Sequence, residues 1–333
     1  MPYSIEADLL QEKVARDDTS SYIGNLLVRQ RRVNQEVFSF SEDFLQSGAT
    51  VVDACAGPEG SLLTGALHSY HWYGNEISPR FAQNLKATGG EAACVTLADF
   101  IHSPYQAEFA DAVYFIFAMN NLVQHQETIR EAHRITNQRG LIVIADPGPT
   151  VWIANIFLKS FCDTEGLSMP HTLGRGRIFS EEISEFFAQK PYTAEQYVDY
   201  LTVHSLGKTR EDMTELIYSV LNTSRRKKDI SFDFQNALLR VYFEHLVATC
   251  QHQSLELQKT GILAMGQDDH GEWIVAEPTR IGQSQWIDDF MSTRQWKGPL
   301  VEGLPHAIAH SAKRMVVPIL CFQKSGDGPV AEC

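Results

Sequence analysis

The sequence lacks the cysteine pairs that mark a metal or disulfide framework. Its six cysteines, Cys55, Cys94, Cys162, Cys250, Cys321 and Cys333, are widely scattered and form no Cys-x-x-Cys motif. Neither a zinc site nor a disulfide scaffold is therefore expected, and reduced thiols in a cytoplasm are the simplest reading. Long apolar runs are also missing. The longest, Ala112 to Met119, is far too short to span a bilayer. The opening residues MPYSIEADLLQEK are acidic and amphipathic, without the apolar core of an export signal. A cytoplasmic protein with no membrane-spanning segment is the expectation.

Positive charge is scarce as well. Lysine and arginine number 28 against 41 aspartates and glutamates, a formal net charge of −13. A duplex or tRNA binder needs a basic face to neutralise phosphates. The one dense basic run, Arg225-Arg226-Lys227-Lys228, reads as a solvated loop or helix end. Nucleic acid and anionic membrane surfaces are thus poor partners, and a small-molecule substrate is expected. A homodimer is compatible with the same reading.

What is present is ordinary for a globular protein: 333 residues, 44% hydrophobic and 21% charged. The length exceeds that at which a single core usually stops growing. The pattern predicts helices over 5–16 and 20–38, then strands and helices in alternation. The strands are Thr50 to Asp53, Trp72 to Glu76, Glu91 to Leu97, Asp111 to Met119 and Leu141 to Asp146. Helices are expected after the first strand, from Ser78 to Gly89 and from His125 to Thr136, the last closed by a turn at Asn137 to Gly140. The runs DAVYFIFAM and LIVIAD are apolar throughout, as in parallel strands buried on both faces. Such alternation predicts an α/β, doubly wound, Rossmann-like sheet of about seven strands. Its ligand crevice lies at the C-terminal strand ends. Four regions follow: an N-terminal helical lid (1–45), a core (46–150), a helical cap insertion (151–231), and a completion of the core sheet (232–325). The last includes a helix from Phe232 to Leu257 and a strand pair, Gly261 to Met265 and Arg314 to Phe322.

The chemistry concentrates at three consecutive strand ends. Asp53 ends the first strand and leads into a small-residue turn, Ala54-Cys55-Ala56-Gly57, which lets a ligand approach the backbone. Glu76 ends the second strand, about 20 residues further on, where a dinucleotide or S-adenosylmethionine (SAM) fold places an acid on ribose hydroxyls. Asp99-Phe100 follows the third strand, where a carboxylate can accept from an adenine amine and an aromatic can cover the ring. Any one of these acids alone reads as a solvated strand end; the three together point to a cofactor.

The segments VVDACAGPEG, YGNEIS, TLADF, FADAVYFIFAMNNLVQH and NQRGLIVIADP resemble, in order and spacing, the successive motifs of class I SAM-dependent methyltransferases. The resemblance covers residues 45–150, roughly a third of the chain. It implies SAM as cofactor. It also implies that Asp53, Ala54 and Gly57 lie along the methionine portion, and that Glu76 holds the ribose diol with Ile77 beside it. Asp99 and Phe100 would hold adenine, and Ala118 to Asn120 would border the sulfonium and amino group. Two positions depart from the pattern: Cys55 stands for the usual first glycine and Glu59 for the third. The same glycines and Glu76 also fit a nicotinamide-binding domain. The Asp99-Phe100 pair and the fourth strand running into Asn120-Asn121 fit SAM better.

Candidates at the reaction itself are Asn120, Asn121, Tyr22 and Phe157. The asparagines can orient an amine or the aminobutyryl arm of SAM, and either can equally cap the helix that follows. Tyr22 and the aromatics of the insertion, Phe157 among them, can face the sulfonium cation. His125 and His133 are candidate bases and equally packed or solvated side chains. His306 and His310 make an i, i+4 pair without a third ligand, so no metal is expected. Two SAM-consuming reactions remain open: methyl transfer to a small metabolite, and intramolecular attack by the SAM amino group giving azetidine-2-carboxylate and methylthioadenosine.

Overall fold

The computed structural model describes residues 32–57, 70–89, 94–119, 122, 125–148, 230–268, 270–311 and 314–325. The expected helix over 5–16, the helix after the first strand and the cap insertion lie outside these residues, and so do Tyr22, Asn120, Asn121 and Phe157. The chain falls into two compact units. One comprises residues 1–122, 126–147 and 249–333; the other comprises 123–125 and 148–248.

The first unit contains the sheet. A helix α1 over 32–41 precedes β1 (Thr50–Ala54), β2 (His71–Glu76), α2 (Pro79–Gly89), β3 (Cys94–Leu97), β4 (Ala110–Ile116), α3 (His125–Ile135) and β5 (Thr136–Ala145). Most of α4 (Ile230–His252) belongs to the second unit; the first unit continues with β6 (Leu255–Gln267), β7 (Trp273–Val275), β8 (Thr279–Ile281), α5 (Trp286–Arg294), α6 (Pro299–Glu302), α7 (His306–Ala309) and β9 (Arg314–Lys324). The strand order is β3-β2-β1-β4-β5-β9-β6-β7, with β8 also on β6. β1 to β5 run parallel, whereas β9 is antiparallel to both β5 and β6. The expected Rossmann-like α/β sheet is present, with nine strands among the described residues.

Register assigns the faces, because paired residues share a side and successive residues alternate. Val51, Trp72, Ala112 and Leu141 lie on one face, followed toward the C-terminal ends by Asp53, Gly74, Tyr114 and Val143. That face meets α1: Val33, Val37, Phe38 and Phe40 form one apolar cluster with Val51, Trp72, Tyr114, Val143, Leu263 and Val317. The Ser41 hydroxyl is 2.9 Å from that of Tyr114. On the opposite face, Tyr73 packs edge-on against Phe109, and Phe115 against Phe100.

Local expectations change at two places. The helix expected to run to Leu257 ends at His252, and Leu255 to Leu257 already belong to β6. The turn at Asn137 to Gly140 is an irregular lead-in to β5, whose pairing with β4 jumps from Ala110↔Thr136 to Ala112↔Leu141. Arg139 takes a φ of 62° there. A Cβ on Gly140 would come within 2.6 Å of Thr136 Cγ2 and 3.0 Å of the Asp111 carbonyl, so the bulge needs glycine. Asp111 ties the bulge to β1, accepting from Asn137 Nδ2 at 2.8 Å and from the Thr50 amide at 2.7 Å.

Candidate functional site

In the sheet order, the chain reverses direction of progress between β1 and β4. In open α/β sheets the ligand crevice opens beyond the carboxyl ends of the strands at such a switch point. Here both strands end in an unusual backbone. Cys55, just past β1, has φ 58°, and Phe117, just past β4, has φ 54°. Side-chain-bearing residues seldom adopt this left-handed region, which costs roughly 1–2 kcal/mol. Such strain persists where surrounding contacts impose it, often at functional sites. The contacts are present: the Ala56 amide donates to the Asn75 carbonyl at 2.9 Å, and the Phe117 amide to the Ala145 carbonyl at 2.9 Å.

Glu76 is the centre of the arrangement. It is only 4% exposed. Oε1 accepts from the amides of Ile77 and Ser78, both at 2.8 Å. Oε2 accepts from the amide of Gly57 at 2.9 Å. Gly57 has φ 70°, so a glycine is what allows the turn to present that N–H. The side chain therefore joins the turn after β1 to the end of β2. Burial raises the Glu76 pKa above the ordinary carboxylate value, and the three backbone donors oppose that rise. A carboxylate offers about four acceptor positions. Three are used by the backbone, which leaves one, on Oε2.

The remaining expected residues lie around this pair. Asp53 and Ala54 are buried at the end of β1. Ile77 and Leu97, at the ends of β2 and β3, are apolar yet 39% and 55% exposed; Leu97 pairs with Glu76 in register. Asp99 caps a short 3-10 turn, Phe100–His102, and its side chain accepts from the Ile101 amide. Phe100 differs from expectation. It is 3% exposed, with its ring 5.2 Å from that of Phe115. The ring is occupied in the interior, because the strand end is short and the 3-10 turn directs it there. Ala118 and Met119 are buried after β4.

The histidine candidates separate. His125 is buried in the second unit, edge-on to Tyr242 at 5.4 Å. His133 lies in the last turn of α3, its pKa lowered by burial and by the nearby Lys324 ammonium. His306 and His310 have ring centroids 4.1 Å apart.

Residues 52–144 match the methyltransferase-domain family. That stretch carries a methyltransferase domain. SAM is its cofactor, and the methyltransferase match does not favour the cyclisation alternative. A comparison with curated proteins finds no match.

Among solved structures, one similar chain is a TehB-like SAM-dependent methyltransferase from Corynebacterium glutamicum, 17% identical, TM-score 0.30, covering 33% of this chain and 61% of that one. Another is phosphoethanolamine N-methyltransferase 1 from Haemonchus contortus, 16% identical, TM-score 0.35, covering 43% and 31%. A third, from Thermotoga maritima, is described as a possible histamine N-methyltransferase. It is 13% identical, with a TM-score of 0.42, and the match covers 92% of this chain and 95% of that one. The chain thus spans under two thirds of the first two relatives' length. These scores are too low to carry any inference about the acceptor. No helix among the described residues is long and apolar enough to cross a membrane.

Proposed function

We propose that this methyltransferase transfers the methyl group of SAM to a small-molecule acceptor. SAM supplies a methyl group activated on a sulfonium. The chain's own residues bind, orient and exclude water, which is where most of the rate of such a displacement arises.

The cofactor pose rests chiefly on one observation: a buried carboxylate, Glu76, held by three backbone donors with one acceptor position left. That position on Oε2 suits a ribose hydroxyl. Ile77 and Leu97, exposed beside it, suit the faces of a purine. Asp99 follows at the end of β3, where its carboxylate can accept from the exocyclic amine. Asp53, Ala54 and the Cys55–Gly57 turn lie along the amino-acid arm, and Ala118 borders the sulfonium from β4. Roles for Asn120, Asn121, Tyr22 and Phe157 at the reacting end remain part of the proposal.

The acceptor class rests on charge. A net charge of −13 repels phosphate backbones. Several basic side chains are also committed internally: Arg134 to Glu131 at 2.7 Å, Lys259 to Asp43 at 3.1 Å and Lys324 toward Glu108 at 3.8 Å. The test is incubation with methyl-labelled SAM and a cell extract divided into dialysable and non-dialysable fractions. Label should appear in a dialysable compound other than SAM, with S-adenosylhomocysteine formed alongside. Label in protein or nucleic acid would overturn the acceptor class, and methylthioadenosine in place of S-adenosylhomocysteine would overturn methyl transfer.

A further inference from the structure

Helix α1 carries a polar side chain that the fold buries and leaves unbonded. Asn34 is 1% exposed, and neither Oδ1 nor Nδ2 has a hydrogen-bond partner. Native proteins pair nearly all buried polar atoms, and an exception calls for a cause such as an absent ligand.

The place of Asn34 follows from the contacts of its helix. Arg32, at the start of α1, donates to the Trp273 carbonyl at 2.6 Å, and Trp273 pairs with Gln267 at the end of β6. Phe40, near the end of α1, lies with its ring 4.3 Å from the Lys259 ammonium, close to the start of β6. α1 therefore runs opposite to β6. Since β6 is antiparallel to β9 and β9 to β5, β6 ends on the same edge as β1 to β5. The first turn of α1 lies at the crevice edge of the sheet.

Around the helix, Asn34, Phe38 and Ser41 fall on one stripe at i, i+4 and i+7. Ser41 and Phe38 face Tyr114, at 2.9 Å between hydroxyls and 5.7 Å between rings. Tyr114 pairs with Asp53. Asn34 stands about 6 Å further along the same stripe, toward the crevice edge. Ala56 of the β1 turn belongs to the same apolar cluster as Val33 and Val37, and Phe117 packs against it. The helix turn that carries Asn34 thus shares a core with both strand ends of the switch point.

We infer that Asn34 binds the charged α-amino-carboxylate head of SAM, with Oδ1 accepting from the ammonium and Nδ2 donating to the carboxylate. A carboxamide with both ends open matches a group that is donor and acceptor at once. A plain anion would call for donors only. With the ribose at Glu76 on β2, the head has to extend across β1 toward β4, the strands that this stripe of α1 covers. The assignment rests on the SAM pose given under Proposed function.

The experiment compares S-adenosylhomocysteine with 5′-methylthioadenosine, which keeps adenine and ribose but lacks the head. Both are titrated calorimetrically into the full chain, wild type and Asn34→Ala, with Asn34→Leu as a variant closer in volume. Each variant should bind S-adenosylhomocysteine about tenfold or more weakly, the size of one hydrogen bond to a charged group, and bind methylthioadenosine as the wild type does. The ligand-free variants should unfold at the same temperature as the wild type or higher, since an unpaired buried amide has been removed. Equal losses for both ligands, or a lower unfolding temperature, would make Asn34 a structural residue and overturn the inference. Unchanged S-adenosylhomocysteine affinity would also overturn it. A wild type that binds neither ligand would overturn the SAM pose itself, and with it this assignment.

Discussion

Glu76 shows how one side chain couples stability to binding. Its carboxylate is buried, and burial raises its pKa despite three backbone donors. Folding therefore favours the protonated form. The resulting stability is fully present below the ordinary carboxylate pKa and is lost as pH rises through the raised folded value. Ligand binding has the opposite sign if the ribose needs a charged acceptor. S-adenosylhomocysteine affinity should rise through that same acidic window while ligand-free stability declines. Calorimetric titrations and urea unfolding across the window check this, and an affinity that is flat with pH would contradict it. Glu76→Ala should weaken SAM binding by roughly 1–3 kcal/mol, the loss of a charge-assisted hydrogen bond. Unchanged affinity in the folded variant would remove Glu76 from the site. Cys55 gives a second test, since its φ of 58° suits glycine. Cys55→Gly should raise the unfolding free energy by up to about 1 kcal/mol, relief of left-handed strain exceeding the added chain entropy. At this scale the sequence exposed the acid at a strand end, because strand termini and small-residue turns are local signals. It could not show that Glu76 spends three acceptor positions on backbone or that Phe100 turns inward. Nor could it show that Asn34 is buried without a hydrogen-bond partner. Those are tertiary facts.

Among the elements, β1, β4 and the second half of β5 were legible, since strands buried on both faces read as apolar runs, although β4 ends at Ile116 rather than Met119. The stretch from β7 through α7 was not. Its strands are three residues long and two of its helices four, too short for either a period of 2 or of 3.6 to register. The lead-in to β5 was read as a turn because Asn, Arg and Gly favour turns; pairing with β4 and the Asp111 side chain hold it in the sheet instead. α3 ends on a device visible only in three dimensions. Lys324 at the end of β9 donates to the carbonyls of His133 and Thr136, at 3.2 and 2.9 Å. It thereby satisfies acceptors that a helix C-terminus leaves open. Lys324→Met keeps the buried stem and removes the donors. It should cost about 1–3 kcal/mol of stability in urea unfolding, with S-adenosylhomocysteine affinity unchanged in the folded protein. A variant as stable as the wild type would show that the carbonyls do not depend on this cap.

For the molecule as a whole, the acidic balance, the parallel sheet and the methyltransferase-domain match over residues 52–144 bear on different halves of the reading. Fold and cofactor follow from strands and turns, which the sequence displays in order. The acceptor follows from surfaces that composition constrains only by exclusion, and residues 1–31 of the expected lid and the expected cap lie outside the described residues. The most direct test is therefore at the cofactor, where SAM and nicotinamide readings of one sheet diverge. S-adenosylhomocysteine and NAD should each be titrated calorimetrically into the purified full chain. Saturable binding of S-adenosylhomocysteine, with no heat from NAD, is the expected result. Binding of NAD with none of S-adenosylhomocysteine would contradict it.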